Sequence, residues 1–148
     1  LHRVAGMSFA DIDELLNRRS GLLGLSGTSD MRATSAAATA GSDAAALALD
    51  VYVHRLRHYI GAYAAQLGGL DVLVFTGGVG ENSPLIRARS LERFGFLGIA
   101  LDSDANASGT GERTVSARES AVAVLVIPTD EELEIARQAA ELLRPGQR

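Results

Sequence analysis

The stretch DVLVFTGGVGENSP, residues 71–84, decides the fold. DVLVF is a short apolar run rich in branched side chains, the pattern of a strand buried on both faces in a parallel sheet. It stops at Thr76, and Gly77, Gly78 and Gly80 then fall within four positions, followed by Glu81 and Asn82. Ser83-Pro84 can open a helix with Pro at its first position, and LIRARSLERF supplies the body. The stretch therefore reads as strand, glycine loop and helix. Glycines at a strand end allow positive φ and let a ligand approach the backbone closely. Free N–H groups there, and at the next helix start, suit a nucleotide or phosphate. No GK[ST] follows, so this is not a Walker A loop, and G-x-G-x-x-G fails because Ser83 stands where the third glycine belongs. On spacing alone, a ligand loop and a plain tight turn both remain open.

The same logic recurs at the other end of the chain. VAVLVI, residues 122–127, reads as a second buried strand, and PTDEELEIARQAAELL as the helix after it. Thr129 as N-cap with Glu132 three residues on forms a capping box. Acids there complement the helix dipole, yet Asp130 and Glu131 have no assigned local work. A carboxylate beside a phosphate site is also a natural Mg²⁺ ligand. Between the two junctions, FGFLGIAL suggests a turn and short strand, DSDANASGTGER a surface loop, and TVSA another short strand. Ligands of open α/β sheets gather outside the carboxyl ends of the strands, where GGVGEN and PTDEE both lie.

Upstream, the longest element runs over residues 43–67. Leu49, Val53, Leu56, Ile60, Tyr63 and Leu67 step by four and three, a helical stripe, with Ser42 as cap and Gly68-Gly69 as stop. Ser8 and Asp11 open a shorter amphipathic helix as a capping box. SGLLGLSGTSDMR between them reads as a partly buried loop, followed by an alanine-rich stretch over residues 33–40. Asp30 and Arg32 lie two apart in that loop, placed to pair with each other or to touch a ligand. His54 and His58 are four apart without a third ligand, which assigns them structural or surface roles; Tyr52, Tyr59 and Tyr63 are assigned to packing.

Composition bounds the rest. The 148 residues suit one domain or a piece of one, and 47% hydrophobic with 22% charged residues is a globular balance. A net charge of −4 gives no general electrostatic case for nucleic acid or an anionic membrane, and no apolar run approaches the roughly 20 residues of a membrane span. The absence of cysteine excludes disulfides, thiolate metal sites and cysteine nucleophiles, with a cytoplasmic location as the default expectation. All 14 basic residues are arginine, so neither a P-loop lysine nor a Schiff base is available. The chain opens on Leu1, in what reads as a helical connection, and the expectation is a fragment.

Four segments occur in order: SGLLGLSGTSDMR, YIGAYAAQLGGLDVLVFTGGVGENSPLIR, LGIALD and VLVIPTDEELEIAR. Together they resemble the C-terminal portion of the acetate kinase family, over residues 8–143; propionate and other short-chain acyl kinases share the pattern. The resemblance implies an α/β, RNase H-like domain of the actin and sugar-kinase superfamily, truncated at its N-terminal strands. Residues 1–148 are then a single incomplete domain without its N-terminal partner. It further implies reversible transfer between ATP and a short-chain carboxylate, acetate giving ADP and acetyl phosphate, with Mg²⁺ or Mn²⁺, in a homodimer. Residue by residue, the Asp-apolar-Arg motif that contacts adenosine falls on Asp30, Met31 and Arg32, with Met where Phe or Leu is usual. The segment cradling adenine and ribose falls on Gly78, Val79, Gly80, Glu81 and Asn82. The Mg²⁺ carboxylate falls on Glu131, preceded by Asp130 in place of the usual Asn. The family's N-terminal phosphate-binding residues, its catalytic Asp and His and its two transition-state arginines have no counterpart, which implies a chain inactive by itself. A stand-alone nucleotide-binding or dimerisation module is the alternative, and an unrelated α/β anion binder a third.

Overall fold

The computed structural model describes residues 1–143. The chain forms two compact units, Leu1–Gly68 and the part from Gly69 onward.

The first unit is helical: α1 (His2–Ala5), α2 (Phe9–Arg18), α3 (Gly21–Ser26), α4 (Met31–Thr39) and α5 (Asp43–Leu67). The expected capping box opens α2, where the Ser8 hydroxyl accepts from the Asp11 amide and the Asp11 carboxylate accepts from the Ser8 amide. The 25 residues of α5 match the expected bounds, from the Ser42 cap to left-handed Gly68. The expected loop after α2 is instead the one-and-a-half-turn helix α3, ended by left-handed Gly27. Both α3 and α4 pack on α5. At 1.5 Å per residue, α4 spans about 14 Å and α5 about 37 Å, so they cannot cover it. Leu49 and Val53 are each 2% exposed, while Tyr63 and Leu67 at the far end of the same stripe stand in solvent.

The second unit runs β1 (Val72–Phe75), α6 (Gly77–Asn82), α7 (Pro84–Leu91), a 3₁₀ turn (Gly95–Leu97), α8 (Ser103–Ala107), β2 (Arg113–Thr114), β3 (Ala123–Val126) and α9 (Glu131–Leu142). Among the described residues the sheet has three strands in the order β1-β3-β2. β1 and β3 are parallel, from Val72 opposite Ala123 to Phe75 opposite Val126, and β2 is antiparallel to β3. The central β3 buries Val124 and Val126 completely against a core including Phe75, Ile86, Leu91, Phe94 and Val115. β1 departs from the expectation of burial on both faces: it is an edge strand, with Val72 47% and Val74 45% exposed.

Three more expectations are corrected. GGVGEN is not a loop but the helix α6. The expected surface loop DSDANASGTGER contains α8, capped by Asp102, with Asn106 buried. At α9 the cap is Asp130, whose carboxylate accepts from the Leu133 amide at 3.0 Å, because the Thr129 hydroxyl is turned elsewhere. Pro84 does open α7, and the Ser83 hydroxyl accepts from the Ile86 amide.

Candidate functional site

The parallel pairing of β1 and β3 brings their carboxyl ends side by side, and a single carboxylate joins the segments that leave them. Glu81 Oε1 accepts from the Gly77 amide at 2.9 Å, at the first residue of its own helix. The same oxygen accepts from the Thr129 amide at 2.9 Å and from the Thr129 hydroxyl at 3.1 Å. The donors that the sequence offered to a ligand at Gly77 are thus met from within the protein. The Thr129 backbone bond leads in holding the Glu81 carboxyl below its ordinary value. Partial desolvation opposes it, and the Thr129 hydroxyl and Gly77 amide add to the lowering.

The three glycines of α6 do different things. Gly77 has φ +70°, a left-handed conformation that favours glycine. A Cβ on Gly80 would stand 3.3 Å from the Phe75 carbonyl carbon, so this glycine lets the helix close onto the end of β1. Gly78 has neither constraint: its φ is ordinary and a Cβ would meet nothing within 4 Å. Neither conformation nor packing therefore asks for a glycine at this position. Asn82, exposed, donates from Nδ2 to the Gly78 carbonyl at 2.9 Å, and Val79 is half-buried between them.

In the first unit Asp30 is the N-cap of α4, with Oδ1 accepting from the Arg32 amide at 2.7 Å and the Ala33 amide at 3.3 Å. Those two bonds, the first the stronger, hold its carboxyl below the ordinary value. Arg32 Nε lies 3.8 Å from the same oxygen with its side chain 91% exposed, so Asp30 and Arg32 do pair, loosely and in water. Met31 between them turns inward and is buried. Glu131 opens α9, but its side chain lies outside the described part, and so does the metal role expected of it.

Two residues that sequence reasoning misses, Arg87 and Asn106, hold α6 from its other end. Arg87 is fully buried and donates to the Gly80 and Glu81 carbonyls and to Asn106. Nothing in LIRARSLERF separates it from Arg89 or Arg93. The face of α7 that turns inward takes Arg87 and leaves Leu85 44% exposed.

Comparison with known proteins bears on the whole chain. Residues 1–137 match the model of the acetokinase family. The chain is 60% identical over 140 residues to the acetate kinase of Clavibacter michiganensis subsp. michiganensis, covering 94% of this chain and 35% of that protein. Among solved structures, it is similar to Porphyromonas gingivalis acetate kinase, with a TM-score of 0.88 and 45% identity over 97% of this chain and 37% of that one. It is also similar to a propionate kinase from Francisella tularensis subsp. tularensis, with a TM-score of 0.84 and 36% identity over 93% of this chain and 35% of that one. The chain thus spans roughly a third of the length of each relative.

Proposed function

The chain belongs to the acetokinase family, and from that premise we propose that it supplies the nucleotide side of an acetate kinase. The reaction is the reversible transfer of the γ-phosphoryl group of MgATP to acetate, giving ADP and acetyl phosphate. The observation carrying the reading is α6 at the end of β1, whose Gly78 keeps an open flank that neither conformation nor packing requires. In this reading Gly78, Val79, Gly80, Glu81 and Asn82 line the adenosine, with Gly80 and Glu81 acting chiefly by fixing the helix. Asp30 and Arg32 are nucleotide contacts in the first unit, the expected contact Met31 being buried there and anchoring the two, and Glu131 serves Mg²⁺ or Mn²⁺. A bound divalent ion would neutralise phosphate charge during transfer.

Phosphoryl transfer rests on positioning and charge neutralisation, and no catalytic residue is assigned to this chain. In this reading it binds nucleotide without turning over; a homodimer in the cytoplasm is the accompanying expectation. A propionate acceptor is the second reading, favoured by the propionate kinase likeness. Calorimetric titration with ADP and Mg²⁺ tests the binding, and Gly78→Val is expected to abolish it. A coupled assay with ATP and either acetate or propionate tests the rest. Family-like turnover by the 148-residue chain overturns its inactivity, and absence of ADP binding overturns the nucleotide reading.

A further inference from the structure

Arg87 is 0% exposed, and its hydrogen bonds among the described residues all end on neutral acceptors. Nη1 donates to the Gly80 carbonyl at 2.7 Å and the Glu81 carbonyl at 2.9 Å. Nε donates to Asn106 Oδ1 and Nη2 to the Asn106 carbonyl, both at 2.7 Å. Asn106, 4% exposed, donates from Nδ2 to the Pro84 carbonyl at 3.0 Å. One guanidinium thus closes the carbonyl ends of α6 and α8, and one amide fixes that guanidinium to the start of α7. Removing a cation from water is costly unless its donors are met. The carbonyls gain in turn, since the last four of any helix lack partners within it and favour a positive charge.

Local sequence does not account for α6. It has six residues, three of them glycine, far below the length at which an isolated helix persists. Its shape is held by side chains, the Glu81 carboxylate tying its first residue to Thr129 and the Arg87 guanidinium closing its other end.

We propose that Arg87, oriented by Asn106, is a positioning residue that holds Gly77–Asn82 in the backbone conformation that receives the nucleotide. The inference rests on the nucleotide reading above. Neither residue touches the ligand; both act through the Gly80 and Glu81 carbonyls. The planar fork of arginine reaches α6 and Asn106 at once, which a lysine cannot do.

The test uses the 148-residue chain, labelled for amide hydrogen exchange and titrated with ADP. Asn106→Ala is expected to speed exchange at residues 78–83, leave the Val115 amide of the sheet unchanged and weaken ADP binding about tenfold. Arg87→Lys, which keeps the charge and loses the fork, behaves alike. Asn106→Asp, which keeps a charged acceptor for Arg87 Nε but loses the donor to the Pro84 carbonyl, falls between Asn106→Ala and the unaltered chain. Exchange rising equally in α6 and the sheet means general destabilisation and overturns the proposal, as does unchanged ADP affinity in Asn106→Ala. If the unaltered chain binds no ADP, the nucleotide reading fails and takes this inference with it, an outcome distinct from variants that bind as the unaltered chain does.

Discussion

Glu81 shows how a residue that the sequence offers to a ligand can be committed to the protein. One of its oxygens gathers three hydrogen bonds and ties the start of α6 to Thr129, just ahead of α9. Those bonds favour the ionised form, so the carboxyl is depressed from its ordinary 4.5. The contribution to stability is then fully present above that ordinary value and is lost as pH falls through the lower folded value. Asp11 and Asp30, held down by hydrogen bonds at helix starts, act in the same direction. Acid should therefore loosen the junction between Gly77 and Thr129. The amide resonances of these two residues should move together below about pH 4.5. In Glu81→Gln the acceptor remains and the charge is gone, so the pH-dependent movement shared by the two amides should be lost while the chain stays folded at pH 7. A Thr129 amide that titrates identically in both proteins would rule out Glu81 as the link.

At the scale of the element, α6 separates three glycines that look equivalent in the sequence. Gly77→Ala places a Cβ at φ +70° and should cost about 1–2 kcal/mol. Gly80→Ala drives a methyl toward the Phe75 backbone at 3.3 Å and should cost about 1–3 kcal/mol by overpacking. Gly78→Ala meets open space in an ordinary helical conformation and should stabilise the chain by up to about 1 kcal/mol, while weakening ADP. Thermal melts beside ADP titrations test this, and a destabilised Gly78→Ala would show that its bareness serves folding. The cap of α9 gives a second contrast. Asp130→Ala should cost about 1 kcal/mol, and Asp130→Asn almost nothing, since Asp and Asn cap about equally well. Asp or Asn at this position is thus equivalent for the helix, and equal melting temperatures for Asp130→Ala and the unaltered chain would refute the cap. The elements that the sequence announces are those with strong local signals. α5 carries a long stripe between Ser42 and Gly68, β3 an unbroken apolar run, and α7 its Ser83-Pro84 start. α6 is illegible because it is held by Arg87 and by the bond of Glu81 to Thr129, 48 residues away, beyond any local window; α8 has a local cap in Asp102, but five residues carry too little periodicity to announce a helix.

At the scale of the molecule, the two strand–helix junctions and their parallel pairing are legible, and so is the family, because several motifs must fall in order. Hidden from the sequence is how much apolar surface the chain leaves uncovered. β1 reads as buried on both faces because periodicity cannot distinguish a strand covered within its own chain from one that offers a face outward. In the structure Val72 and Val74 turn outward. Among the described residues β1 pairs only with β3, which leaves its other edge open. An exposed apolar face beside an unpaired edge is a template for another chain. The 15.5 kDa chain should therefore self-associate. Sedimentation velocity over a concentration series should show a species of twice that mass growing in. Val74→Lys, at a position outside the core, should shift the balance toward monomer without lowering the melting temperature by more than a few degrees, as expected of a surface substitution. If the unaltered chain stays monomeric throughout, the open strand is protected and the dimer is lost. If it dimerises and Val74→Lys dimerises equally well, the contact lies elsewhere, and the exposed stripe at Tyr63 and Leu67 of α5 is the next surface to charge.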